Sequence, residues 1–445
     1  MILPTFKSLA DPDNEGLSPR KPVVAALDIG TDKVTCVIAR VRAKSGGGKD
    51  GSQNGGKGLD VKIVGVGHIA SQGVKAGVIV DLAAAETAIR AAVDAAERAA
   101  GFTVDEAIVN ASCGRISSEA YEIGVTVRSG QVTQDDLGQV LKTARAQPRD
   151  DGRLTLHSIP IGFALDGDAG IADPLGMYGE RLSVGMHVVT AEPGPLRNLA
   201  LGVDRCHIKI DRVAVSPLAS ALSTLTVDEA ELGAICVDMG AGCTTVAVFI
   251  EGMFVHADAI ALGGGHVTLD LARGLSTPLA QAERIKALHG SCLTGPADER
   301  EFIDFETVGG EGGSEELAQV PKSTLVKIVT PRVEEIFELL RDRLRTAGLD
   351  TMGERRIILT GGASQLTGTR EIAARVLGGQ VRMGAPRLAG HMPETMAGPG
   401  FACVAGLLTY AQSAEVGAHD GLSETDNQHG SSYIGRVGRW LKESF

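Results

Sequence analysis

The chain has 445 residues, room for two or three domains, and its 43% hydrophobic and 22% charged content is that of a globular protein rather than a disordered or fibrous one. A net charge of −12 disfavours general nucleic-acid binding, so any basic patch must be local. Seven cysteines, an odd number with no C-x-x-C pair, argue against a disulfide framework or a zinc site, and no apolar run reaches the roughly 18–20 residues of a transmembrane helix.

The opening MILPTFKSLADPDNEGLSPRKP lacks a basic stretch followed by a long apolar run, so it does not read as a signal peptide. Residues 1–21 are expected to form a disordered leader on a cytosolic protein. VVAALDIGTDKVTCVIARV reads as two strands joined by a turn at Gly30–Lys33, and VKIVGVGHIA alternates as a third. The polar glycine-rich stretch between them, Lys44–Gly58, is expected to be a hairpin insertion. DLAAAETAIRAAVDAAERAAG is a helix with Asp81 as its cap and Gly101 as its stop. The opening is therefore β-β-β-α.

EAIVNASC reads as a further strand. From about Gly114 to Gly185 the pattern is strand, helix, strand, with Thr133 and Asp136 spaced as in a capping box; this predicts an inserted subdomain. A strand MHVVTA, a helix from about Pro195 to Arg205, and HIKIDRVAVSPLASALSTL return to α/β character. Near Leu232 the opening repeats: GAICVDMGAGCTTVAVFIEGMFVHADAIAL reads as strand, tight turn, strand, strand, and a glycine run leads into a helix. A polar segment, TGPADEREFIDFETVGGEGGSEELA, precedes a helix IVTPRVEEIFELLRDRLRTAG that Pro331 is expected to break or kink. RRIILTGGASQLTG is strand, glycine turn, helix, and a small-residue helix follows near Gly398–Leu408. Residues 413–432 read as a flexible polar linker.

Three motifs carry chemistry. LDIGT places Asp28 at the end of a buried strand, two residues before Gly30 and three before Thr31. Glycine allows a tight turn close to a phosphate, and following amides can donate to its oxygens. The aspartate suits Mg²⁺ held through water, because magnesium gives up its waters reluctantly. VDMGAGCTT repeats this about 210 residues later with Asp238, Gly240, Gly242 and Thr244. Two such hairpins can grip a triphosphate from both sides. IILTGGASQLTG supplies Gly361, Gly362 and Ala363, where backbone can pack on a flat adenine or ribose; Glu283 and Lys286 of AQAERIKALHG could meet that group from the neighbouring subdomain. The plain reading of Glu283 and Lys286 is a solvated pair at i,i+3.

The order of hairpin, hairpin, adenosine turn and small-residue helix is that of the actin, sugar-kinase and heat-shock chaperone ATPase superfamily. Within it, the chain from about Pro22 to Phe445 resembles the FtsA family of bacterial cell-division proteins. RLTLHSIPIGFALDGDAGIADPLGMYGERLSVGMHVVT, ELGAICVDMGAGCTTVAVF, IVTPRVEEIFELL, IILTGGASQLTG and GRWLKESF carry the likeness. The long Lys44–Gly58 loop departs from the family, as do Ala241 and Cys243–Thr244 in place of Gly-Gly-Thr.

The resemblance implies an actin-like first domain at 22–113 and 186–215, an inserted subdomain at 114–185, and a second domain at 216–395 with a smaller part near 270–350. A return helix at 396–412, the linker at 413–432 and an amphipathic helix at 433–445 complete it. It also implies ATP and Mg as cofactors, at most weak ATPase activity, polymerisation, recruitment of downstream division proteins, and binding of the FtsZ C-terminal tail near Arg332 and Glu335. The chain would then work on the cytoplasmic face of the membrane at the division site. Alternatives from other classes are a small-molecule kinase of the same superfamily, which would need a carboxylate base at the acceptor hydroxyl, a chaperone ATPase, and a pilus-assembly relative.

At roughly 100° per residue, Tyr433, Ile434, Val437, Trp440, Leu441 and Phe445 fall within an arc of about 140°. Arg436, Arg439, Lys442 and Glu443 lie opposite. That is an interfacial helix for an anionic lipid surface: Ile434, Val437, Trp440, Leu441 and Phe445 enter the acyl boundary while Arg439 and Lys442 meet the headgroups.

Overall fold

The computed structural model describes residues 22–43, 59–112, 114–147, 152–308, 316–349, 356–388 and 390–412. The leader, the Lys44–Gly58 loop, the linker and the whole terminal helix, with Ile434, Val437, Arg439, Trp440, Leu441, Lys442 and Phe445, lie outside the described residues.

Strands β1 (Val23–Ile29), β2 (Lys33–Ala43) and β3 (Leu59–Ala70) form an antiparallel run. A two-residue pair, β4 (Val74–Lys75) and β5 (Val78–Ile79), leads to helix α1 (Leu82–Ala100), and β6 (Glu106–Ala111) then pairs parallel with β1. Asp81 caps α1 as its type requires, accepting from the Ala83 and Ala84 amides at 3.1 Å, and Gly101 ends it at φ 80°. Next come β7 (Ser117–Thr126), α2 (Gln134–Arg145), β8 (Leu154–Leu165), β9 (Asp168–Ile171) and β10 (Arg181–Ala191). They make a separate four-stranded antiparallel sheet in the order β7-β10-β8-β9. Helix α2 covers it, with Leu137, Val140 and Leu141 packed among Phe163, Val184 and Met186. The capping box predicted for α2 is present between Thr133 and Asp136.

After helix α3 (Pro193–Asp204), β11 (Lys209–Val215) joins the first sheet, ordered β11-β6-β1-β2-β3 with the short β19 (Gly390–His391) at the edge beside β3. Two short helices follow, α4 (Ser216–Thr224) and α5 (Val227–Leu232). The second sheet is built from β12 (Ala234–Met239), β13 (Thr244–Ile250) and β14 (Met253–Ile260), with helices α6 (Gly264–Leu275) and α7 (Leu279–His289) after it. A hairpin of β15 (Phe302–Thr307) and β16 (Glu316–Pro321) precedes α8 (Lys322–Thr346). Then β17 (Arg356–Thr360), α9 (Thr369–Leu377) and β18 (Gln380–Met383) complete the sheet in the order β14-β13-β12-β17-β18. The chain returns through β19 (Gly390–His391), beside β3, to α10 (Ala402–Gln412).

Each large sheet thus has an aspartate-bearing strand, β1 or β12, paired antiparallel with its hairpin partner on one side and parallel with another strand on the other. Helices α4 and α10 cross between the two sheets. A Cβ on Gly406 would lie 1.6 Å from the Ala219 carbonyl oxygen, so only glycine permits that crossing. Every residue of α4 is buried, which is why SPLASALST reads as small and apolar with hydroxyls that bond inside the helix.

Two expectations are corrected. The polar segment before α8 contains the β15–β16 hairpin: Ile303 and Phe305 are buried while Phe302, Asp304 and Glu306 face outward, a two-residue alternation. Helix α8 starts at Lys322 and runs unbroken through Pro331 for 25 residues. Pro331 lies in its interior, where the missing amide is offset by burial of Leu325, Val329, Val333, Ile336 and Phe337.

Candidate functional site

Between the two large sheets lies a cleft of about 540 Å³. Asp28, Gly30 and Thr31 reach it from the β1–β2 turn, and Asp238, Gly240 and Gly242 from the β12–β13 turn. Glu283 and Lys286 line it from α7, and Gly361, Gly362 and Ala363 from the turn after β17. The structure therefore brings together eleven of the twelve nucleotide-site residues expected from sequence.

The two turns share one backbone solution. The Gly30 amide donates to the Lys33 carbonyl and the Gly240 amide to the Cys243 carbonyl, each at 2.9 Å. Asp28 pairs with Thr35 across its hairpin, and Asp238 with Thr245. The turns meet each other: a Cβ on Gly242 would lie 2.3 Å from Thr31 Oγ1 and 2.9 Å from the Ala76 amide nitrogen. Gly361, at φ 86°, lets the adenosine-type turn pass over the second carboxylate, since a Cβ there would lie 2.2 Å from Asp238 Oδ1.

Asp28 is buried, and Asp238 is partly buried near the end of β12. Burial raises Asp28 to about 6; Lys33 opposes that rise and Asp238 adds to it. Burial likewise raises Asp238, against the Ser220 hydroxyl, which donates to Asp238 Oδ2, and against Lys33. An uncompensated buried carboxylate is costly, so this pair suits a cation that the chain supplies only in part through Lys33. Among the described residues no group of three or more His, Cys, Asp or Glu could cage a metal. Two carboxylates without a protein cage fit a hydrated Mg²⁺ rather than zinc or calcium.

Thr244 is the exception. Its hydroxyl donates to the Leu262 carbonyl at 2.8 Å, fully buried behind the strand, and Thr245 lines the cleft instead. Neighbouring residues of a strand face opposite sides, so only one of the two threonines can point in. Sequence reading also missed Lys33, whose Nζ sits 4.0 Å from the Phe401 ring centroid at the mouth of α10. A basic residue three places after the turn glycine was the available signal. Gly264 and Gly265 line the cleft too, but their amides are spent on the Gly240 and Ala241 carbonyls, holding the second turn to the start of α6. Glu283 and Lys286 are joined at 2.7 Å, and Lys286 also donates to Thr268 Oγ1 at 2.8 Å, so the pair is more than a solvated surface contact.

Arg332 and Glu335 lie away from the cleft on α8. Arg332 Nε bonds Asp270 Oδ2 at 2.6 Å and its NH2 reaches Oδ1 at 3.2 Å, while NH1 contacts Glu335. The Arg332 side chain is about one-quarter exposed, and that of Glu335 about half exposed.

A family model described as cell division protein FtsA matches residues 235–406, and a model of the SHS2 domain inserted in FtsA matches residues 113–190. The cell division protein FtsA of Agrobacterium fabrum is 45% identical over 445 residues, spanning 100% of this chain and 98% of that protein. The FtsA of Escherichia coli K12 is 31% identical over 433 residues, spanning 96% and 99%. Among solved structures, the PilM–PilN type IV pilus biogenesis complex superposes with a TM-score of 0.59 at 15% identity, over 88% of this chain and 99% of that one. MreB5 of Spiroplasma citri bound to ADP does so at 0.51 and 12% identity, over 88% and 96%. These likenesses are of fold, and the fold is the actin-like one.

Proposed function

This chain belongs to the FtsA family of cell-division proteins, and from that premise we propose that it is an ATP- and magnesium-binding adaptor that ties FtsZ to the cytoplasmic membrane at the division site. The observation that carries the nucleotide part is the pair of matched turns whose carboxylates, Asp28 and Asp238, line one cleft with both pKa values raised by desolvation. Gly30, Thr31, Gly240 and Gly242 would hold the ATP phosphates, Asp28 and Asp238 would hold the metal through its waters, and Gly361, Gly362 and Ala363, beside Glu283 and Lys286, would receive the purine and ribose. Magnesium supplies charge neutralisation for the phosphates. The chain's own groups orient the nucleotide and bring the two domains together, which suits assembly better than turnover; any ATPase activity is weak.

FtsZ docks through its C-terminal tail at α8 beside Arg332 and Glu335. Arginine has five donors, so Arg332 can keep Asp270 and still meet a tail carboxylate. The terminal residues Ile434, Val437, Arg439, Trp440, Leu441, Lys442 and Phe445 bind anionic lipid. One short helix binds weakly, and filaments of this chain raise its effective concentration. The filament recruits downstream septum-forming proteins. The test is co-sedimentation of FtsZ with anionic vesicles. FtsZ should pellet with vesicles when the full chain is present and stay in the supernatant when residues 433–445 are removed or Trp440→Glu is introduced. Equal pelleting with the truncated chain contradicts the anchoring role.

A further inference from the structure

The two cleft hairpins are in the same register, so Thr35 and Thr245 are equivalent residues, each directly across from a site aspartate. Both are buried, at 0% and 3% exposure. Their hydroxyls differ. Thr35 Oγ1 has a partner, His68 Nδ1, at 3.2 Å. Thr245 Oγ1 has no hydrogen-bond partner, and its residue lines the cleft. Valine would fill the same strand position without burying a polar atom, so an unsatisfied hydroxyl there needs a reason. Directly paired residues of an antiparallel hairpin project from the same face with Cβ atoms roughly 4.5–5.5 Å apart. Thr245 therefore stands beside the carboxylate of Asp238, where a hydrated cation would sit.

We infer that Thr245 is a positioning residue of the nucleotide site, its hydroxyl oxygen accepting a hydrogen bond from a water of the magnesium that accompanies ATP. The inference rests on the nucleotide reading of the cleft. It assigns to the aspartate-paired position of the second hairpin a ligand-facing hydroxyl that the same position of the first hairpin does not offer, because there the Thr35 hydroxyl is spent on His68.

The experiment uses the full chain and three variants, Thr245→Val, Thr245→Ser and Thr35→Val. Calorimetric titration with ATP is run in magnesium and again in EDTA, and the melting temperature of each unliganded protein is recorded. Thr245→Val should melt no lower than wild type yet bind Mg·ATP about tenfold more weakly, the effect of one hydrogen bond in a charged site. Thr245→Ser should recover most of that affinity, and in EDTA all Thr245 proteins should bind alike. Thr35→Val should keep its affinity for Mg·ATP, since its hydroxyl is turned to His68 rather than to the ligand. If Thr245→Val binds Mg·ATP as wild type does, or if its loss is as large in EDTA, the inference is overturned while the cleft assignment stands. If the wild-type chain fails to bind Mg·ATP, the cleft assignment falls and this inference with it.

Discussion

Lys33 in the first hairpin holds the position that Cys243 holds in the second: each lies three residues past the turn glycine, and each carbonyl accepts that glycine's amide at 2.9 Å. One step earlier, exposed Asp32 corresponds to Gly242, which is pressed against Thr31 of the opposite turn. The same backbone thus carries divided chemistry. The first hairpin brings a cation, steadied over Phe401, that partly offsets both carboxylates. The second brings no charge of its own beyond Asp238 and is pared down so that the domains can approach. A repeated fold unit keeps its register and turn while its side chains specialise.

The largest expected effect breaks the charge side of this comparison. Asp28→Asn should stabilise the nucleotide-free protein above pH 6 by up to about 3 kcal/mol, the equivalent of its raised pKa. Because the folded pKa, about 6, lies above the ordinary aspartate value, wild-type Asp28 favours folding below pH ~4 and loses that contribution as pH rises through 6. Urea unfolding in EDTA at pH 4 and pH 8 measures this: the advantage of the variant should appear at pH 8 and vanish at pH 4. An equal difference at both pH values would place the cause elsewhere.

The next effect tests the steric side. Gly242→Ala should force the hairpins apart, at a cost of about 1–3 kcal/mol in binding, whereas Asp32→Ala at the equivalent position of the first turn should bind a fluorescent ATP analogue nearly as wild type. Similar losses in both variants would deny that the second turn is the one matched to the domain contact.

Much of this fold could be read from local chemistry. Asp81, Gly101 and the Thr133–Asp136 box end their helices as their side chains dictate, and Gly242 and Gly361 of the cleft sit where close approach excludes a Cβ. The misses have physical causes. Adjacent Thr244 and Thr245 are alike in composition, and only strand alternation separates the one facing Leu262 from the one facing the cleft. The pairing of Arg332 with Asp270 spans 62 residues and joins two helices, a contact no local pattern announces. Pro331 reads as a breaker until the buried stripe of α8 outweighs one lost hydrogen bond.

The most direct test of the account is a crystal structure of the full chain with magnesium and a non-hydrolysable ATP analogue. The phosphates should lie between the Gly30 and Gly240 turns, with the metal's waters on Asp28 and Asp238 and the purine against Gly361–Ala363. A nucleotide bound elsewhere on the molecule, or a cleft without nucleotide at saturating concentration, would contradict it.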